Sequence, residues 1–181
     1  ILPLLDFRKL SRCQKPKWVV GYSDISTFLL PYTLLTRIAT LNGSNLLECP
    51  IQPTDENLAY WNDVVTLAPG SSFVQHSASL YQKEDVDWAK NPYATSFERT
   101  ETVAWKCLGH EDDSSYETVF AGRLFGGTLD VIGILAGTAY GDLDSFARLY
   151  AREGMIFYLD NCEFNSAQYC RMLHHIRNAG W

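Results

Sequence analysis

The run Lys17-Trp18-Val19-Val20-Gly21-Tyr22 follows Pro16 and breaks straight into Ser23-Asp24-Ile25-Ser26. A short apolar stretch of β-branched residues after a proline is a buried strand. The serine and aspartate after it are helix N-cap chemistry, and the apolar density of Phe28 to Arg37 continues as a buried helix. Pro31 is expected in the first turn of that helix, where proline is tolerated. A strand that turns tightly into a helix exposes the turn residue at the carboxyl end of the sheet and aims helix N-terminal amides at it. Ser23 is therefore a candidate nucleophile, although on the local pattern alone a plain N-cap is the commoner reading. Gly21 suits a turn too tight for a side chain, whereas Ile25 stands where a G-x-S-x-G elbow has its last glycine.

The same alternation continues downstream. A strand is expected over Ile38 to Leu41, closed by Asn42-Gly43, and a helix from Thr54-Asp55-Glu56 to Leu67, stopped by Pro69-Gly70. From Gln82 to Thr102 the periodicity dissolves, which reads as a linker. Strands are expected over Val103 to Leu108, Tyr116 to Leu124 and Met155 to Leu159. Helices are expected over Leu129 to Ala136 after a Gly126-Gly127 turn, Ser145 to Arg152, and Ser166 to Asn178. Strand and helix in alternation define an α/β chain.

Hydrophobic residues make up 46% of the 181 residues, as in an ordinary folded domain. The net charge of −6 has no basic cluster to offset it, which argues against nucleic-acid binding. No apolar stretch approaches the roughly 20 residues of a membrane helix. Ile1 to Asp6 does not read as a signal peptide, and both ends read as cut. Cys13, Cys49, Cys107, Cys162 and Cys170 are odd in number and scattered, so neither a disulfide framework nor a zinc site is expected. Reduced, mostly buried thiols in a cytoplasmic protein without metal or cofactor are the plain expectation.

Asp160, at the end of the expected strand Met155 to Leu159, sits where an acid that orients a histidine is often found. It is also a good turn residue, and Glu163 competes with it. His174 and His175 lie on an amphipathic helix beside Arg171 and Arg177 and read as a solvated face. Neither they nor His76 and His110 have metal-ligand spacing. Glu111-Asp112-Asp113 reads as a solvated loop.

Three segments in order resemble the LD-carboxypeptidase family, which includes the microcin C immunity protein. They are Lys17 to Ser26 with Gly-Tyr-Ser-Asp, Gly122 to Asp130 followed by Gly137-Thr138-Ala139-Tyr140, and Met155 to Asp160. The resemblance implies a partial Rossmann- or flavodoxin-like domain over residues 1–83, a linker over 84–102, and a smaller α/β domain over 103–181. It makes Ser23 the nucleophile and the Asp24 N–H half of an oxyanion hole. Asp160 takes the place of the family's glutamate, one methylene shorter. The family's histidine is expected past Trp181, and its upstream glycine segment before Ile1. Asn42-Gly43-Ser44 replaces a more usual H-G-P or Y-G-P. The implied activity is that of a serine carboxypeptidase or amidase, and the implied partner a small peptide or peptidyl nucleotide, with a murein L,D-tetrapeptide as one form. As a fragment the chain is expected to be inactive and to expose apolar surface, with a homodimer as the simplest association. The alternative is a non-catalytic peptide-binding module that keeps the fold.

Overall fold

Helix α2, Ser26–Thr36, buries Ser26, Leu29, Leu30, Pro31, Tyr32, Leu34 and Thr36, so apolar contact surrounds most of its circumference. It is one element of a computed structural model that describes residues 1–46, 62–84, 86–108 and 118–181. Two compact units emerge from the contacts: Ile1–Gly43 with Phe120–Trp181, and Ser44–Val119. The chain therefore divides elsewhere than at the expected linker.

In the first unit a short helix, α1 (Phe7–Ser11), is capped by Asp6, whose side chain accepts the Lys9 N–H at 2.9 Å. Strand β1 is only Val20–Gly21 and pairs in parallel with β2, Leu41–Asn42. The strand expected over residues 17–22 is thus shorter than its apolar run. Pro31 stands inside α2 and not in its first turn, because the helix starts at Ser26. The helix ends at Arg37, whose φ of 64° is left-handed and whose N–H closes on Thr33 O at 2.9 Å.

Strand β5, Arg123–Thr128, pairs in parallel with β6, Met155–Asp160, from Arg123↔Met155 to Thr128↔Asp160. Gly126 and Gly127 lie within β5, not in a turn after it. At Gly127 a Cβ would fall 2.8 Å from the Ser26 Cβ, so the strand reaches α2 only because no side chain stands there. Phe125 stacks on Phe157 with centroids 4.6 Å apart, and Leu30, Leu34, Ile132, Leu143 and Phe146 complete the core around Phe125. Each such side chain contributes about 1.5–3 kcal/mol when fully buried.

Between and after these strands lie α4 (Leu129–Ile132), a 3-10 turn Gly133–Leu135, and α5 (Leu143–Tyr150). The last helix, α6, spans Ser166–Asn178, as its sequence predicts. Asn165 and Gln168 cap it reciprocally, and Ile176 is its buried residue. Trp181 donates its indole N–H to Gly141 O at 2.9 Å and meets Phe157 edge-on.

The second unit holds a helical turn over 62–66, here α3, and the antiparallel pair β3 (Leu80–Tyr81) and β4 (Glu101–Thr102). The segment read as a linker is therefore an excursion closed at its base by a ladder. Glu98 N–H donates to Gln82 Oε1 at 2.8 Å, and Thr100 N–H to Tyr81 O at 3.2 Å. Residues 103–108 form no strand, and nothing before Arg123 among residues 118–122 does either. Most of the helix expected from Thr54, the carboxylates 111–113, Cys49 and His110 lie outside the described residues. Cys13, Cys107, Cys162 and Cys170 are exposed, which corrects the expectation of buried thiols. Cys162 lies in the loop between β6 and α6, and Cys170 lies on α6 away from the buried Ile176, so neither reaches the core.

Candidate active site

Ser23 stands directly after β1 and Tyr22, and opens a 3-10 turn, Ser23–Ile25, that runs into α2. Its φ is +58°, and among the described residues only Arg37 shares a positive φ without being glycine. A left-handed L-residue costs about 1–2 kcal/mol, and such strain clusters where geometry serves function. The turn is held from both sides. Gly43 N–H donates to Gly21 O at 3.1 Å, and the Ser26 N–H closes on Asp24 O and Ser23 O. Gly21 itself admits no side chain, since a Cβ would meet Ile25 Cγ2 at 2.5 Å. Asp24 is exposed and second in the turn, at a helix start where backbone N–H groups lack intrahelical partners.

The carboxyl ends of β5 and β6 lie in the same unit as this turn. Ser26 Oγ, 1% exposed, accepts the Thr128 N–H at 3.5 Å. Thr128 in turn pairs across the sheet with Asp160, the exposed last residue of β6. Tyr158, two residues earlier in β6, has its phenol pushed up to about 12, by burial first and then by the negative charge of Asp160. The loop after Asp160 is pinned. Asp130 Oδ2 accepts the Glu163 N–H at 2.8 Å, and Asn161 bonds Phe164 through both ends of its amide.

Two polar atoms here are buried without a hydrogen-bond partner, Thr128 Oγ1 and Asp130 Oδ1. Sequence reasoning had not singled out either residue. A threonine and an aspartate two apart at a strand-to-helix junction was the available signal, and it is indistinguishable from ordinary capping. His174 and His175 are exposed on α6, as their helix face predicts, and His76 is exposed in the second unit. Among the described residues no group of three or more His, Cys, Asp or Glu could hold a metal ion.

Residues 1–43, which contain the whole Ser23 turn, match the family model described as the LD-carboxypeptidase N-terminal domain. The resemblance to the LD-carboxypeptidase family is thereby shown. Solved structures extend the likeness to the fold of nearly the whole chain. The protein MccF in complex with glutamyl sulfamoyl guanosine aligns with a TM-score of 0.68 at 17% identity, over 98% of this chain and 49% of its own. An MccF-like protein from Bacillus anthracis str. Ames gives 0.65 at 18%, over 98% of this chain and 48% of its own. An MccF-like protein from Streptococcus pneumoniae in complex with AMP gives 0.66 at 18%, over 95% and 52%. The chain thus spans about half the length of these structures. No curated protein sequence matches it.

Proposed function

We propose that this chain carries the nucleophile of a serine carboxypeptidase or amidase of the LD-carboxypeptidase type. The observation that carries the reading is the left-handed Ser23 at the junction of β1 and a helix N-terminus. In this reading Ser23 Oγ attacks the carbonyl carbon of an amide, and the developing oxyanion is met by the Asp24 N–H. A histidine takes the Ser23 proton and passes it to the leaving amine, and Asp160 orients that histidine. None of His76, His174 and His175 is assigned that part. Water then hydrolyses the acyl-serine and restores the hydroxyl.

The substrate is a small peptide that loses its carboxyl-terminal residue or an amide-linked group. Solved relatives bind AMP and a glutamyl sulfamoyl nucleoside, which supports a peptidyl nucleotide; the family resemblance adds the murein L,D-tetrapeptide. No described helix is long and apolar enough to cross a membrane. Hydrolysis of an L,D-tetrapeptide and of an aspartyl-adenylamide by the full-length protein that carries this chain, compared with its Ser23→Ala variant, tests the reading. Turnover of one substrate that vanishes in Ser23→Ala supports it; turnover that survives overturns it. The exposure of Asp160 favours a second reading, a binding module without catalysis. Saturable binding of either ligand without turnover is its signature.

A further inference from the structure

The second unit carries a groove of about 400 Å³ beside the β3–β4 ladder, lined by Gln75, His76, Ser77, Tyr81, Val103 and Trp105 among others. We infer that this groove binds a neutral sugar ring. Val103 N–H donates to Ser79 O at 3.0 Å, extending the ladder one step beyond Leu80↔Thr102 and fixing the chain on which Trp105 follows. The Trp105 residue is 84% exposed and Tyr81 47%, so two large aromatic residues stand in water along one concavity. Large exposed apolar faces rimmed by polar groups mark binding surfaces. The C–H face of a pyranose covers such rings, while its hydroxyls both donate and accept.

The rim supplies matching groups. The Gln75 amide and the His76 imidazole each offer a donor and an acceptor, and the Ser77 hydroxyl, which donates to Ala78 O at 3.0 Å, offers an acceptor. Among the described lining residues there is no lysine, arginine, aspartate or glutamate. A phosphate or carboxylate would meet no lysine or arginine among the described lining residues, on a chain whose net charge is already −6. A neutral ring needs no such partner. The inference stands apart from the role given to Ser23, since the groove lies wholly within Ser44–Val119.

The test is titration of the whole chain with N-acetylglucosamine, read by tryptophan fluorescence and by ligand-detected NMR, with AMP as the charged comparison. A saturable response with a Kd of roughly millimolar order is expected. It should persist in Ser23→Ala, weaken at least tenfold in Trp105→Ala, and weaken less in Trp105→Phe. Because Trp105 is exposed, its variants should keep the circular dichroism of the parent chain. Absence of saturation, binding indifferent to Trp105→Ala, or AMP displacing the sugar from the groove overturns the inference.

Discussion

The Thr128 N–H donates to Ser26 Oγ at 3.5 Å, tying the end of β5 to the first turn of α2, three residues beyond Ser23. The approach is close enough that Gly127 has no space for a methyl group on the Ser26 side. Gly127→Ala should therefore destabilise the first unit by about 2 kcal/mol or more, through both overpacking and its φ of +144°. Adding Ser26→Gly removes the atoms that the new Cβ meets but also the acceptor of the Thr128 N–H, so Ser26→Gly alone is the reference for the double variant. Urea unfolding of both single variants and the double one reads the overpacking as a double-variant loss smaller than the two single losses added; strict additivity would show that backbone strain alone is responsible.

Ser23 separates strain from chemistry. Ser23→Gly releases the left-handed backbone, whereas Ser23→Ala keeps it, so the glycine variant should be more stable than the alanine one by about 1 kcal/mol. Both should lack any hydrolysis that depends on the hydroxyl. An alanine variant as stable as the glycine one would mean that the φ of +58° stores no strain.

Asp142 caps α5 by accepting the Ser145 N–H at 3.1 Å. Its carboxyl is held below the usual carboxylate range by the Ser145 hydroxyl first and the Ser145 N–H second. Asp142→Ala should cost about 1 kcal/mol of stability at neutral pH. Because the folded pKa is lowered, the ionised cap stabilises fully above the unfolded value of about 3.9 and is lost as pH falls through the folded one. Thermal unfolding of parent and variant should thus converge in acid, and a constant gap down to low pH would argue against the cap.

The Ser23 turn was legible because its signal is local: a β-branched run, a glycine and a capping pair fall within ten residues. Helix α6 was legible for the same reason, with Asn165 and Gln168 at its start and Ile176 on its inner face. The Gly126-Gly127 pair was misread because its cause is remote. The approach of Ser26, about a hundred residues earlier in sequence, makes glycine necessary at position 127, and the Tyr158 carbonyl of the neighbouring strand makes it necessary at 126. The segment 82–102 misled for a related reason. Its polar composition is that of a linker, yet the pairing of Leu80 with Thr102 closes it within one unit. Thr128 and Asp130 were overlooked because unsatisfied burial is a property of packing that a string of residues does not display.

Tyr158 gives an alkaline signature. Its folded pKa, pushed up to about 12, exceeds the unfolded value of 10.0. The neutral phenol is thus favoured by folding, so this contribution is fully present below the unfolded value and is lost as pH rises through the folded one. The loss should be on the order of 2 kcal/mol. Tyr158→Phe should remove this part of the alkaline slope, and Asp160→Asn, which deletes the secondary cause, should lower the midpoint of the phenol titration slightly. Ultraviolet absorbance of the phenolate follows the titration; a Tyr158 that ionises with the exposed tyrosines would contradict the burial argument.

Thr128 and Asp130 lie two residues apart and each buries one unpartnered oxygen, yet their variants should move stability in opposite directions. Thr128 is 2% exposed, and its Oγ1 has no partner, so the hydroxyl retains only the cost of leaving water. Thr128→Val keeps the shape and removes that cost, and should be neutral or stabilising by up to about 1 kcal/mol. Asp130 differs because its second oxygen accepts the Glu163 N–H at 2.8 Å and pins the loop that follows Asp160. Asp130→Ala leaves that amide without its acceptor and should cost about 1–3 kcal/mol, with Asp130→Asn losing less because the amide oxygen can still accept. Denaturant unfolding of the three variants, with hydrogen exchange at the Glu163 amide, measures both effects. A Thr128→Val variant destabilised by more than about 1 kcal/mol would mean that the hydroxyl is satisfied in solution, by water or by a bound ligand. Loss of Glu163 protection in Asp130→Ala with retention in Thr128→Val would confirm that the loop is held by the carboxylate and not by the strand beside it.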